Sequence, residues 1–251
     1  MIQSIDRAAR VLLQLQGARR LGIGELATAL GLPPSTVHGI VASLAEHGLV
    51  AKESGTNRYL LGPALLRLSN VYLDTLEVRA HALRWSTELS RRTGFATRLA
   101  VPFGDDVIVI LHHPRPGRFE HMPEQGAALP AHACALGKVL LAHDSEFAAS
   151  ALARPLAPLT GETRTDATRL RVELAQVAAR GLAHEEDEAV IGESGLAAPV
   201  FDRTGAVVAA LGVVVPTSEY PPGEFAVDDL REAARSISRE LGASSWPPFS
   251  A

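Results

Sequence analysis

Four groups of residues in this sequence could carry chemistry, and each meets a physical objection. Gly137-Lys138 would end a phosphate-binding loop if glycine stood five residues earlier and Ser or Thr followed, but His132 and Val139 hold those positions. His112, His113, His121 and His132 have metal-ligating side chains, yet the adjacent His112 and His113 alternate faces on a strand and cannot both turn toward one ion. Cys134, the single cysteine, lies two residues from His132; at that spacing on an irregular segment it reads as a small buried thiol rather than a nucleophile beside its base. Glu185-Glu186-Asp187-Glu188 could pair carboxylates for acid-base work or line a binding cup, but a run of like charge is ordinarily solvated. No Gly-x-Ser-x-Gly elbow, zinc-protease helix or dinucleotide fingerprint is present. No catalytic residue, metal or cofactor is therefore expected.

Recognition chemistry is better supported. In Leu32-Pro33-Pro34-Ser35-Thr36-Val37-His38-Gly39-Ile40-Val41, the residues Val37, Ile40, Val41 and Leu44 recur at helical spacing and share one buried face. The opposite face then offers Ser35, Thr36, His38, Gly39, Ala42 and Ser43: hydroxyls, an imidazole and small residues suited to base edges and phosphates in a major groove. The prolines fall where helix N–H groups lack partners anyway. Gly39 costs about 1 kcal/mol against alanine inside a helix, which suggests close backbone approach to a partner. Lys52 and Arg58 on a following ribbon, and Arg19 and Arg20 ahead of the preceding helix, could reach phosphate.

The elements that must position these groups follow from periodicity and punctuation. Ser4 is expected to cap a first helix carrying Ile5, Ala8, Leu12 and Leu15, ended by Gly17; a second short helix stops at Gly31. Gly48 closes the third helix, and Leu49 to Lys52 and Arg58 to Leu61 flank a polar turn. Helix, helix, turn, helix, ribbon is a winged helix-turn-helix. A linker helix over residues 63–76 carries Leu65, Leu68, Tyr72 and Leu76 on one face and is suited to packing on a partner chain. Val78, Ala82, Trp85 and Leu89 continue as a second stripe. Beyond Phe95, strands at Phe95 to Val101, Val107 to Leu111, Gly195 to Phe201 and Ala206 to Val215 alternate with helices at Ala135 to Ala142, after a Thr165 cap, and from Phe225 to Leu241. Pro199 demotes its strand to an edge or bulged one. The fold class is α+β with two domains: head at 1–62, linker at 63–76, a mainly antiparallel second domain at 77–245, and a tail at 246–251.

Of the 251 residues, 47% are hydrophobic, enough for a sizeable core, and no apolar run reaches a membrane span. The net charge of -4 is uneven: residues 1–62 carry +2 and the remainder -6, as for a nucleic-acid-binding head on a different kind of module. One cysteine excludes an intramolecular disulfide and, with the absence of a leader, gives a cytoplasmic expectation.

These residues resemble the IclR family of bacterial transcription regulators, from Gln3-Ser4-Ile5-Asp6-Arg7-Ala8 to Ala233-Ala234-Arg235-Ser236-Ile237-Ser238. The most specific pieces are Ser35-Thr36-Val37-His38, Leu129-Pro130-Ala131-His132-Ala133-Cys134-Ala135-Leu136-Gly137-Lys138, and Gly181 to Glu188 followed by Leu196-Ala197-Ala198-Pro199-Val200-Phe201-Asp202. Arg19-Arg20-Leu21-Gly22, His38-Gly39-Ile40 and Leu68-Ser69-Asn70-Val71-Tyr72-Leu73-Asp74 look most like the actinobacterial subgroup that regulates glycerol operons. The resemblance implies a GAF-like effector domain, a homodimer or dimer of dimers, palindromic double-stranded operator DNA, no membrane, and a repressor of a small catabolic operon. It implies an effector pocket of His132, Ala135, Leu136, Glu185, Gly195, Gly212 and Val214, with glycerol or glycerol phosphate as the ligand. Small-acid sensors of the family carry thiols or hydroxyls where this chain has Gly195, Gly212 and Val214, so backbone N–H groups or a larger ligand are expected instead. The competing expectation is a small-molecule-binding GAF-like protein or enzyme whose head no longer binds DNA; only the regulator predicts steeply salt-dependent DNA binding.

Overall fold

The computed structural model describes residues 2–117 and 124–246, so His121 and the tail beyond Trp246 lie outside the described residues. The chain divides between Thr75 and Leu76 into two compact units.

The first unit runs α1 (Gln3–Ala18), β1 (Leu21–Gly22), α2 (Ile23–Leu30), α3 (Pro34–Glu46), β2 (Val50–Lys52), β3 (Arg58–Leu61) and α4 (Ala64–Asp74). Its core is Val11 and Leu15 from α1, Leu26, Ala27 and Leu30 from α2, and Val37, Val41 and Leu44 from α3. That set follows the helical spacing of the sequence, with Ile40 only half-buried. Ile2, not Ser4, stands at the entry of α1 and makes no side-chain cap. The two-residue β1 went unseen in the sequence because it is too short to show a period; it pairs Leu21 with Tyr59 and Gly22 with Arg58, making a three-stranded sheet ordered β1-β3-β2. Gly62 fastens α4 to this unit. Its N–H donates to Leu49 O at 2.8 Å, and a Cβ there would lie 2.0 Å from Gly48 O.

The second unit contains α5 (Glu77–Thr93), β4 (Ala96–Phe103), β5 (Asp106–His113), β6 (Ala128–Pro130), a 3-10 turn (Ala131–Ala133), α6 (Ala135–His143), α7 (Ser145–Ala151), α8 (Ala167–Arg180), β7 (Ala183–Glu186), β8 (Glu193–Phe201), β9 (Val207–Pro216) and α9 (Glu224–Glu240). Its six strands pair antiparallel throughout, in the order β6-β5-β4-β9-β8-β7. Strand side chains alternate, so the sheet has two buried faces. Helices α5 and α9 cover one, where Ser86 and Thr97 hydroxyls meet at 2.8 Å and Phe201 N–H donates to Ser238 Oγ at 3.0 Å. On the other, Val139 and Leu140 of α6, Phe147 of α7 and Leu170, Leu174 and Val177 of α8 pack on Ala100, Val107, Ala197 and Ala210.

Several expectations need correction. Asp166, not Thr165, caps α8, because its carboxylate accepts from both Thr168 N and Arg169 N, at 2.8 and 3.1 Å. Strand β8 is interior rather than an edge, but it is bulged, the other outcome expected of Pro199: its register against β9 shifts between Val200 and Phe201. Strand β7 has already ended, at the Ala183–Ala197 pair, and the Pro199 carbonyl accepts from Trp246 Nε1 at 2.7 Å, so no neighbouring strand needs a donor from Pro199. Trp246 is thereby seated, with Arg235 over its ring at 5.5 Å, where a loose tail was expected. Phe225 is exposed and Ala226 takes the buried place on α9. No helix among the described residues is long and apolar enough to cross a membrane.

Candidate functional site

The first candidate surface is α3. Pro33 stands at its entry and accepts through its carbonyl from Thr36 N and Val37 N at 3.0 and 3.1 Å, so the prolines remove no donor the helix needs. Ser35, His38, Gly39, Ala42 and Ser43 are exposed and Thr36 is half-buried. A Cβ added at Gly39 would meet nothing within 4 Å. Internal packing therefore does not require glycine at this position.

The predicted phosphate contacts behave differently from α3. Arg58 Nη2 pairs with Glu25 Oε1 at 2.9 Å and its Nη1 donates to Arg20 O at 3.3 Å; Arg20 Nη1 pairs with Glu53 Oε1 at 2.9 Å. Glu25 also accepts from Gly22 N at 2.6 Å, and that bond, with Arg58, holds its carboxyl below the usual range. The two arginines thus brace the β2–β3 ribbon against the start of α2 while both stay exposed. Arg19 sits at the end of α1 with a φ of 65°, and Lys52 is exposed at the end of β2.

The second candidate is the sheet face beneath α6. Antiparallel register sets His112, Arg98, Gly212, Ala197 and Ala183 in one row across five strands, and Ala96, Val214, Gly195 and Glu185 in the next. Ala135 and Leu136, at the start of α6, close over them. Six of the seven expected pocket residues line this cavity; His132 does not, because its buried imidazole turns to Ala157 O, 3.0 Å from Nε2. The cavity measures about 20 Å³, room for a single water. Its glycines explain why: a Cβ on Gly212 would lie 3.0 Å from Leu136 Cδ2, and one on Gly195 would lie 3.2 Å from Glu185 Oε1. The space a side chain would take at each glycine is occupied from across the pocket.

Sequence patterning missed Arg98, which reaches into this face from β4. Its guanidinium is mostly buried, and burial opposes its charge, but hydrogen-bonded ion pairs with Glu124 and with Glu193, the latter at 3.1 Å, outweigh that and keep it charged. Arg98 also lines an adjoining cavity of about 170 Å³ with His112, Arg115, Glu124 and Glu193. The signal available in the sequence was an arginine inside an otherwise apolar strand, a placement that needs a carboxylate partner. Its partners lie 26 and 95 residues away.

The acidic run is not solvated as expected. Only Glu186 is exposed, while Glu185 and Glu188 are buried. Lys138, fully buried on α6, donates to Glu188 Oε1 at 2.5 Å, Glu173 Oε1 at 2.8 Å and His184 O at 3.3 Å. Arg164 pairs with Glu173 at 2.8 Å and completes the network. Lys138 is thus a structural cation, and Gly137 is forced, since a Cβ there would lie 2.1 Å from Ala131 O. Desolvation, reinforced by the Glu188 charge against a backbone hydrogen bond, pushes Glu185 up to about 7. Burial likewise pushes the Cys134 thiol up to about 12 while its Sγ accepts from Gly137 N at 3.3 Å, so it is an α6 cap and not a nucleophile. His112 and His113 do face opposite ways: the first accepts from Glu124 N at 3.4 Å, the second meets Thr87 Oγ1 at 3.2 Å.

Residues 4–54 match the family profile described as the IclR helix-turn-helix domain, and residues 70–239 match that of the bacterial transcriptional regulator IclR C-terminal domain. The chain belongs to the IclR family. It is a transcription regulator of IclR type and not an enzyme. The glycerol operon regulatory protein of Streptomyces griseus is 40% identical over 98% of both chains, and that of Streptomyces coelicolor 38% identical over the same shares. Among solved structures, an IclR regulator from Alicyclobacillus acidocaldarius is 28% identical with a TM-score of 0.82, covering 96% of this chain and all of that one. An IclR homolog complexed with 4-hydroxybenzoate from Microbacterium hydrocarbonoxydans is 27% identical with a TM-score of 0.81, covering 95% and 98%. IclR regulators bind DNA through the helix-turn-helix and respond to small-molecule effectors.

Proposed function

We propose that this IclR regulator is the repressor of a small catabolic operon and leaves a palindromic operator when glycerol or glycerol phosphate binds beneath α6. The observation that carries the reading is the mostly buried guanidinium of Arg98 on the α6 face of the sheet, which borders a cavity of about 170 Å³ together with His112, Arg115, Glu124 and Glu193; a charged group held inside the fold beside open space supports a polar ligand site. The names of the two Streptomyces relatives supply the ligand class. Ser35, Thr36, His38 and Ser43 contact the operator, with Lys52, Arg58, Arg19 and Arg20 on its phosphates.

The regulator works as a homodimer or dimer of dimers, with residues 63–76 as the linker. Support comes from apolar side chains left exposed at the entry of α1 (Ile2), along it (Ile5, Leu13) and on α4 (Leu66, Leu68, Val71, Tyr72). An effector that prefers one arrangement of the dimer moves the two recognition helices off the spacing of the half-sites; a ligand binding both arrangements equally would shift nothing.

A gel-shift comparison tests the DNA reading. His38→Ala should weaken operator binding by roughly ten- to hundredfold, the range for one lost base contact, with binding to random DNA little changed. Equal losses on both DNAs would show that His38 reads no base.

A further inference from the structure

We infer that Lys138 is a positioning residue for the effector: from outside the cavity it holds Glu185 through the peptide before it and through Glu188, and so serves ligand binding rather than stability. This rests on the reading of the α6 face as the effector site and names what fixes one of its walls.

Glu185 is gripped at two points. Lys138 Nζ donates to His184 O at 3.3 Å, the carbonyl of the peptide that leads into Glu185, and to Glu188 Oε1 at 2.5 Å. Glu188 N–H in turn donates to Glu185 Oε2 at 3.2 Å. Glu188 is itself held from the other side, since its second oxygen accepts from Arg164 N at 3.3 Å and its carbonyl from Thr163 Oγ1 at 2.7 Å. With Oε2 tied in this way, Oε1 is the oxygen beside Gly195. Glu185 lines the small cavity under Leu136, which shares Arg98 and Val214 with the larger one, so a ligand spanning the two meets this carboxyl or the one water beside it.

Lys138 lines neither cavity, yet it stands two residues beyond Leu136, so one ammonium ties the α6 wall to the β7 wall. Stability alone does not call for a lysine there. A fully buried ammonium has to be desolvated, and well-packed apolar side chains commonly replace a buried ion pair without loss. What an apolar side chain cannot supply is direction. An ammonium has three donors, and here each has its own acceptor, in Glu173 Oε1, Glu188 Oε1 and His184 O. The three lie on α8, on the loop after β7 and on β7 itself, which fixes where Glu185 stands relative to Leu136.

Calorimetric titration of the full-length protein with glycerol and with glycerol 3-phosphate, beside urea unfolding of the same samples, tests this. The double variant Lys138→Met with Glu188→Leu should unfold close to the parent's midpoint yet bind the better ligand about tenfold more weakly, the loss of one well-made hydrogen bond. Glu185→Ala should show a comparable loss, and adding the double substitution to it should weaken binding no further, because the lysine acts through that carboxyl. Undiminished binding by the double variant, losses that add, or a double variant that fails to fold would each overturn the inference. The pocket reading would survive any of these wherever Glu185→Ala binds poorly. Binding that Glu185→Ala leaves untouched, or no binding of either ligand by the parent, would overturn the pocket reading together with the inference.

Discussion

Gly39 and Glu185 are residues whose local cost points beyond the fold. Nothing lies within 4 Å of a Cβ at Gly39, so Gly39→Ala should stabilise the head by about 1 kcal/mol, the usual gain inside a helix. The same methyl should weaken operator binding if the backbone approaches the groove there, and a variant that melts higher yet binds as well as the parent would refute close approach. Glu185 is a titration test. The unfolded chain releases its proton near 4.5, whereas the folded chain keeps it to about 7. Stability should therefore be fully present below 4.5 and fall as pH rises through about 7, by on the order of 3 kcal/mol. Glu185→Gln should remove that slope, as urea unfolding at pH 5 and pH 8 would reveal.

At the scale of elements, α6 is anchored by an ion network rather than by apolar contacts alone. Lys138→Met leaves Glu188 buried without its nearest cation and should cost about 3–5 kcal/mol. Adding Glu188→Leu should recover most of it, because two well-packed apolar groups replace a pair that had to be desolvated. Chemical denaturation of the single and double variants checks both expectations. Much of this level was legible: α3, the ribbon, β8, β9 and the α5 stripe follow from period and punctuation. The two-residue β1 and the acidic β7 were not, since neither carries enough apolar residues to declare a period; pairing with β3 and β8 makes them strands. The acidic run misled for a related reason. Alternation in β7 turns Glu185 inward and Glu186 outward, and charge composition alone carries no such direction.

For the whole molecule, a dimer reading a palindrome should need its half-sites about 34 Å apart, one helical turn of DNA. Inserting about five base pairs between the half-sites should abolish specific binding and about ten should restore much of it; binding indifferent to the insertion would mean that the heads act separately. The sequence by itself determined the two-part organisation and the exposed face of α3, and it named six residues that line one cavity beneath α6. Helical spacing, a punctuating glycine and family-like motifs are local properties, readable along the chain. Only the tertiary structure decided that Arg98 lines that cavity, that His132 does not, and that Leu136 and Glu185 fill the space opposite the glycines. Those outcomes depend on register across five strands and on ion pairs between residues as far apart as 95 positions. A one-residue slip in any pairing would turn those side chains to the other face.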